Sequence, residues 1–66
     1  MGYQIKELRE RNNMTQQDLS DKSGISRAII NGLETERLTN TSLKTLKKLA
    51  DALETSVQDI FFDNDV

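Results

Sequence analysis

The chain has 66 residues, a formal net charge of −2, an apolar fraction of 35% and neither cysteine nor histidine. That composition excludes a disulfide framework, a thiolate nucleophile, a zinc site of the usual ligands and a histidine general base, so no enzymatic activity, cofactor or metal is expected. One domain over 1–66 is expected, able to bury only about 60% of its unfolded surface; without a signal-peptide pattern or an apolar run of membrane length, a soluble cytoplasmic protein is expected.

Residues 3–12 read as a first helix, with Ile5 and Leu8 three apart on a core stripe and Lys6, Glu7, Glu10 and Arg11 around the other faces. Asn12 and Asn13 end it, since asparagine tolerates the left-handed conformation that closes many helices. Met14 packs as the chain turns back. Thr15 is a helix N-cap and Asp18 completes a capping box, so a second helix starts there. Gly24 supplies a backbone bend at positive φ, and Ser26 offers the next N-cap.

Ile29, Ile30 and Leu33 then follow at helical spacing, which predicts a third helix over 26–35. At about 100° per residue, Ser26, Ile29, Ile30 and Leu33 share a core side, while Arg27, Ala28, Asn31, Gly32 and Thr35 share the exposed one. A guanidinium, an amide and two very small residues suit close approach to base edges: Arg27 to guanine O6 and N7, Asn31 to adenine N6 and N7, Ala28 to a thymine methyl. Gly32 costs about 1 kcal/mol of helix propensity against alanine, which argues that closeness to a ligand matters there. The structural alternative is a pair of capped helices around a glycine that binds nothing.

Gln16 at the start of the second helix, the small Ser20 four further on and Gly24 at the turn, with Leu19, Ile25, Ile30 and Leu33 at the packing positions, resemble the Cro and phage-repressor (XRE-like) helix-turn-helix. The resemblance implies an all-α, compact five-helix bundle of the lambda-repressor-like DNA-binding type, with the motif formed by helices 2 and 3. It implies double-stranded DNA as partner, a palindromic operator, a homodimer and transcriptional repression. It also implies that Gln16 contacts a phosphate and braces the recognition helix, and that Arg9 pairs with Glu34 to tie helix 1 to helix 3. Arg9 reaching a phosphate is the alternative. Asn13 stands where this family frequently has glycine.

After Glu34 the chain departs from that pattern. Thr35, Glu36, Arg37, Leu38, Thr39, Asn40, Thr41 and Ser42 contain no glycine or proline and add about one residue to the usual connection. Leu38 either plugs the core or joins a partner surface. Thr41 or Ser42 caps a fourth helix carrying Leu43, Leu46, Leu49, Ala50 and Leu53 on a core stripe. Asn40, Thr41, Ser42 and Lys44 at its start can hold a phosphate on free backbone N–H groups or form a solvated face; the resemblance implies the phosphate contact there, with Arg37 beside it, whereas Lys47 and Lys48 read as a solvated face. Ser56 and Asp59 form a last capping box, Val57, Ile60 and Phe61 close the core, and Phe62 is left as a dimer contact, a fraying end or a satellite of the core.

Charge is polarised along the chain. All nine basic residues lie at or before Lys48, against six acidic ones in 1–50, a surplus of +3, while the five acidic residues from Asp51 onward are unopposed. A positive face can meet DNA with the acidic end turned away, giving modest non-specific affinity and strong salt dependence. The rival reading is a protein-binding module of the same fold, an antitoxin or adaptor whose acidic end meets a basic protein partner.

Overall fold

A computed structural model describes residues 3–38 and 41–61. Five helices follow one another: α1 Ile5–Arg11, α2 Gln16–Ser23, α3 Arg27–Glu34, α4 Leu43–Ala52 and α5 Val57–Phe61. The radius of gyration is 10.5 Å, close to the roughly 11 Å of a compact chain of this length. No helix among the described residues is long and apolar enough to cross a membrane.

Local chemistry sets each boundary. The Thr15 hydroxyl accepts from the Asp18 N–H and the Asp18 carboxylate accepts from the Thr15 N–H, both at 3.0 Å, so α2 opens on a reciprocal capping box. Gly24 closes α2 at φ 77°, its N–H donating to Ser20 O, and the Ser20 hydroxyl donates to Ile25 O at 2.7 Å across the turn. Ser26 accepts from the Ile29 N–H to open α3, and Ser42, rather than Thr41, accepts from Thr45 to open α4. Asn13 takes the left-handed conformation (φ 59°) after α1, while Asn12 Nδ2 donates to Leu8 O and to Leu53 O, tying the ends of α1 and α4. At the other end of α1, the Gln4 N–H donates to Ile60 O at 2.9 Å and so anchors α5.

α2 packs against both α3 and α4, α1 against α3, and α4 against α5. Ile5, Leu19, Ile30, Leu33, Leu49 and Ile60 are fully buried where these contacts converge, with Ile25, Leu46, Ala50, Ala52 and Leu53 completing the core. Two residues assigned to core stripes are not in it. Leu43 is 67% exposed because it is the first residue of α4 and lies at the edge of the arc holding Leu46, Leu49, Ala50 and Leu53. Ile29 is 38% exposed, since the buried side of α3 centres on Ile30 and Leu33 and leaves Ile29 at the margin. The expectations for the Phe61 side chain and for Phe62 fall outside the described residues.

Two non-glycine residues besides Asn13 have positive φ: Glu36 (63°) after α3 and Glu54 (58°) after α4. Left-handed backbone costs an L residue roughly 1–2 kcal/mol, whereas glycine adopts it freely but loses about 0.4–1 kcal/mol through unfolded-state entropy. Glu36→Gly is therefore expected to stabilise the fold by about 0.5–1 kcal/mol, read as a Tm increase of a few degrees in thermal denaturation followed by circular dichroism. An unchanged or lower Tm would contradict that account of the turn.

At the start of α5 the Thr55 hydroxyl donates to Asp59 Oδ2 at 2.7 Å, and the Asp59 N–H donates to Ser56 Oγ. The Thr55 hydrogen bond first, and those of Ser56 after it, lower the Asp59 pKa from its ordinary 3.8. A depressed carboxylate stabilises the native state above the unfolded pKa, and that contribution fades as pH falls through the lower native value. Comparing the Tm of the wild type with Asp59→Asn across pH is expected to show a deficit in the variant above about pH 4 that closes at lower pH. A deficit independent of pH would assign the effect to packing instead.

A helix-turn-helix face braced by a buried arginine

Arg9 is enclosed at 8% exposure, and the side chain of its partner Glu34 is only 3% exposed, so the pair is buried together. Arg9 Nε donates to Glu34 Oε2 at 2.8 Å and its Nη2 to Glu34 Oε1 at 3.1 Å, a two-pronged grip on the last residue of α3. Nη1 donates to Met14 O at 2.7 Å, so the same guanidinium also holds the α1–α2 turn. The hydrogen bond to Glu34 outweighs burial and raises the Arg9 pKa above its already high ordinary value. Arg9 is charged at every physiological pH, and it faces a carboxylate rather than solvent.

Gln16 joins the same cluster. Its Nε2 donates to Glu34 Oε1 at 3.0 Å and lies 3.3 Å from Asn31 Oδ1, so one amide spans from the first turn of α2 to two positions on α3. Arg9, Gln16, Asn31 and Glu34 thus form a continuous hydrogen-bonded chain linking α1, α2 and α3. No buried side-chain polar atom among the described residues lacks a partner. Next along α2, Gln17 Oε1 accepts from Arg27 Nη1 at 3.4 Å, while Gln17 Nε2 donates to Asp21. Sequence reading missed Gln17; its signal was its place beside Gln16 in the first turn of the helix that packs on α3.

The exposed face of α3 divides into two edges. Arg27 and Asn31, about 40° apart around the axis, form a polar edge held from α2. Ala28, Ile29 and Gly32 form an apolar edge, which with Arg37 and Leu38 lines an open notch of about 400 Å³. Gly32 itself is buried, which corrects its placement on the exposed side of α3. A Cβ at Gly32 would come within 2.8 Å of Leu38 Cδ1 and 2.9 Å of Leu38 Cγ, so the space it leaves open is filled by this chain's own leucine. The Leu38 N–H donates to Gly32 O at 3.0 Å, fixing the turn over the helix end. Leu38 therefore covers the recognition helix, half-exposed, instead of plugging the core.

Arg37 is exposed beside the notch, its Nε 3.4 Å from Thr35 Oγ1. Thr41, Ser42 and Lys44 stand at the start of α4, with Ser42 and Lys44 exposed and Thr41 partly covered. Asn40 lies outside the described residues. No metal-binding cluster of acidic side chains occurs among the described residues.

Two short helices crossing at a glycine turn, the second with one face buried and the other presented, define a helix-turn-helix unit. A family model described as Helix-turn-helix matches residues 5–60 of the chain. The chain is also 39% identical over 66 residues to an uncharacterized HTH-type transcriptional regulator of Archaeoglobus fulgidus, covering 98% of this chain and 92% of that relative. The chain belongs to the XRE-type helix-turn-helix family of DNA-binding regulators, a non-enzymatic family.

Removing one partner of a buried ion pair costs about 3–5 kcal/mol, because the other charge is left uncompensated. Arg9→Ala and Glu34→Ala are each expected to lose stability on that scale, while the double variant loses far less than the sum. Urea unfolding in a stabilising osmolyte keeps all four proteins measurable. A coupling near zero would sink the brace.

Proposed function

We propose that the protein is a sequence-specific transcriptional regulator that inserts α3 into the major groove of double-stranded DNA. The observation that carries this reading is the polar edge of α3, where Arg27 is exposed and Asn31 is held in place by Gln16. An α-helix with its side chains is about 10–12 Å across, a match for a major groove about 12 Å wide. The Arg27 fork suits guanine O6 and N7. Asn31 keeps its Nδ2 donors and a second Oδ1 lone pair for adenine N7 and N6. Ala28 meets a thymine methyl.

Arg37, Ser42, Lys44, Thr41 and Asn40 would hold phosphates, with the α4 N-terminus adding its uncapped N–H groups. Gln16, partly covered, contributes to positioning α3 and adds a phosphate contact at the start of α2. One α3 touches only a few base pairs, so useful selectivity needs two of them. That supports a homodimer on a palindromic operator, with half-sites one helical turn apart. Regulation then works through occupancy, with repression where the bound dimer blocks RNA polymerase.

Fluorescence anisotropy after selection from a randomised duplex pool tests the proposal. A palindrome is expected to be enriched, and Arg27→Ala and Asn31→Ala are each expected to cost about 1–3 kcal/mol and to relax selection at one position. Absence of enrichment, with a basic protein co-purifying instead, would overturn DNA reading in favour of a protein-binding module.

A further inference from the structure

Gly32 and Leu38 exchange the roles that their positions assign them. Gly32 is on the face of α3 that also carries Ala28, yet it has no side chain to offer and is covered. Leu38, four residues past the end of α3, lies over it and presents a half-exposed isobutyl group. Ile29, also exposed, lines the same notch. The result is a small apolar recess, continuous through Ala28 with the Arg27 and Asn31 edge, with the Arg37 cation at its rim.

We infer that this recess reads C5-methyl groups of thymine, with Leu38 and Ile29 as specificity-determining side chains next to the base pairs read by Arg27 and Asn31. The inference rests on the DNA-binding reading and adds to it a reader shared between the loop, through Leu38, and the helix, through Ile29. Thymine is the one DNA base that offers an apolar group in the major groove, where its methyl projects beside the O4 acceptor. Arg37 at the rim suits the phosphate that follows a base held in the recess. A polar contact at this site would leave Leu38 and Ile29 against water or an unmatched donor; a methyl group does not.

The test uses the selected duplex, with deoxyuridine replacing thymine one position at a time, which removes the methyl and preserves base pairing. For the wild-type protein, at least one substitution adjacent to the Arg27 and Asn31 positions is expected to weaken binding about fourfold, the equivalent of about 0.8 kcal/mol for one buried methylene-sized group. Leu38→Ala and Ile29→Ala are expected to bind the thymine and deoxyuridine duplexes equally, and to stay folded by circular dichroism. Equal wild-type affinity for both duplexes at every position overturns the methyl reader and leaves the DNA reading standing. Failure of the pool to yield any preferred sequence overturns both. A change in sedimentation of Leu38→Ala, with wild-type binding indifferent to methyl removal, overturns the inference by making the recess a protein contact.

Discussion

The end of α3 is held to the rest of the fold through one guanidinium. Arg9 spends its donors on two carboxylate oxygens of Glu34 and on the carbonyl of Met14. Burying a charge in so small a core is unfavourable unless it is paired and hydrogen-bonded, and here each guanidinium nitrogen finds an acceptor. The arrangement fixes the end of α3 against α1 while the same cation holds the turn that launches α2. Because Gln16 shares Glu34, the angle between the two motif helices and the setting of Asn31 are governed by the same cluster. A hydrophobic pair of equal volume would pack, but it would not specify which turn of α3 faces which turn of α1.

The core around this cluster is aliphatic and small, so the brace and the caps carry an unusual share of the definition of the fold. Each helix entry from α2 to α4 has a hydroxyl on the first free N–H groups: Thr15, Ser26 and Ser42. Surface ion pairing adds little. Lys22 and Glu54 approach only to 3.6 Å and both are well exposed, a geometry of small net worth in water.

Much of this was legible from residue order. Thr15 with Asp18, Gly24 and Ser26 announce the two motif helices because capping and positive φ are local requirements, decided within a few residues. Asn13 was readable for the same reason. Arg9 with Glu34 was not readable from spacing, being a contact across 25 residues, and it came only through family resemblance. Ile29 and Leu43 were misassigned because a helical wheel gives the side of a helix but not the width of what covers it. Gly32 was misread for a different reason: its neighbour comes from a loop of unfamiliar sequence, whose path depends on the left-handed turn at Glu36. Nothing in local propensity announces that a glutamate will adopt it.

That turn gives positions 32 and 38 a shared fate. With glycine at 32, Leu38 is seated and the 35–38 segment is closed over the helix through the Leu38 N–H to Gly32 O bond. Any larger residue at 32 reaches outward only by unseating Leu38, so the chain can present a long helical side chain or a leucine-lined recess at that place, but not both. A change at 32 therefore moves the Leu38 side chain, whose tip is what a Cβ there would meet. What this face recognises is set jointly by the helix and the loop, so a substitution in one is felt in the other.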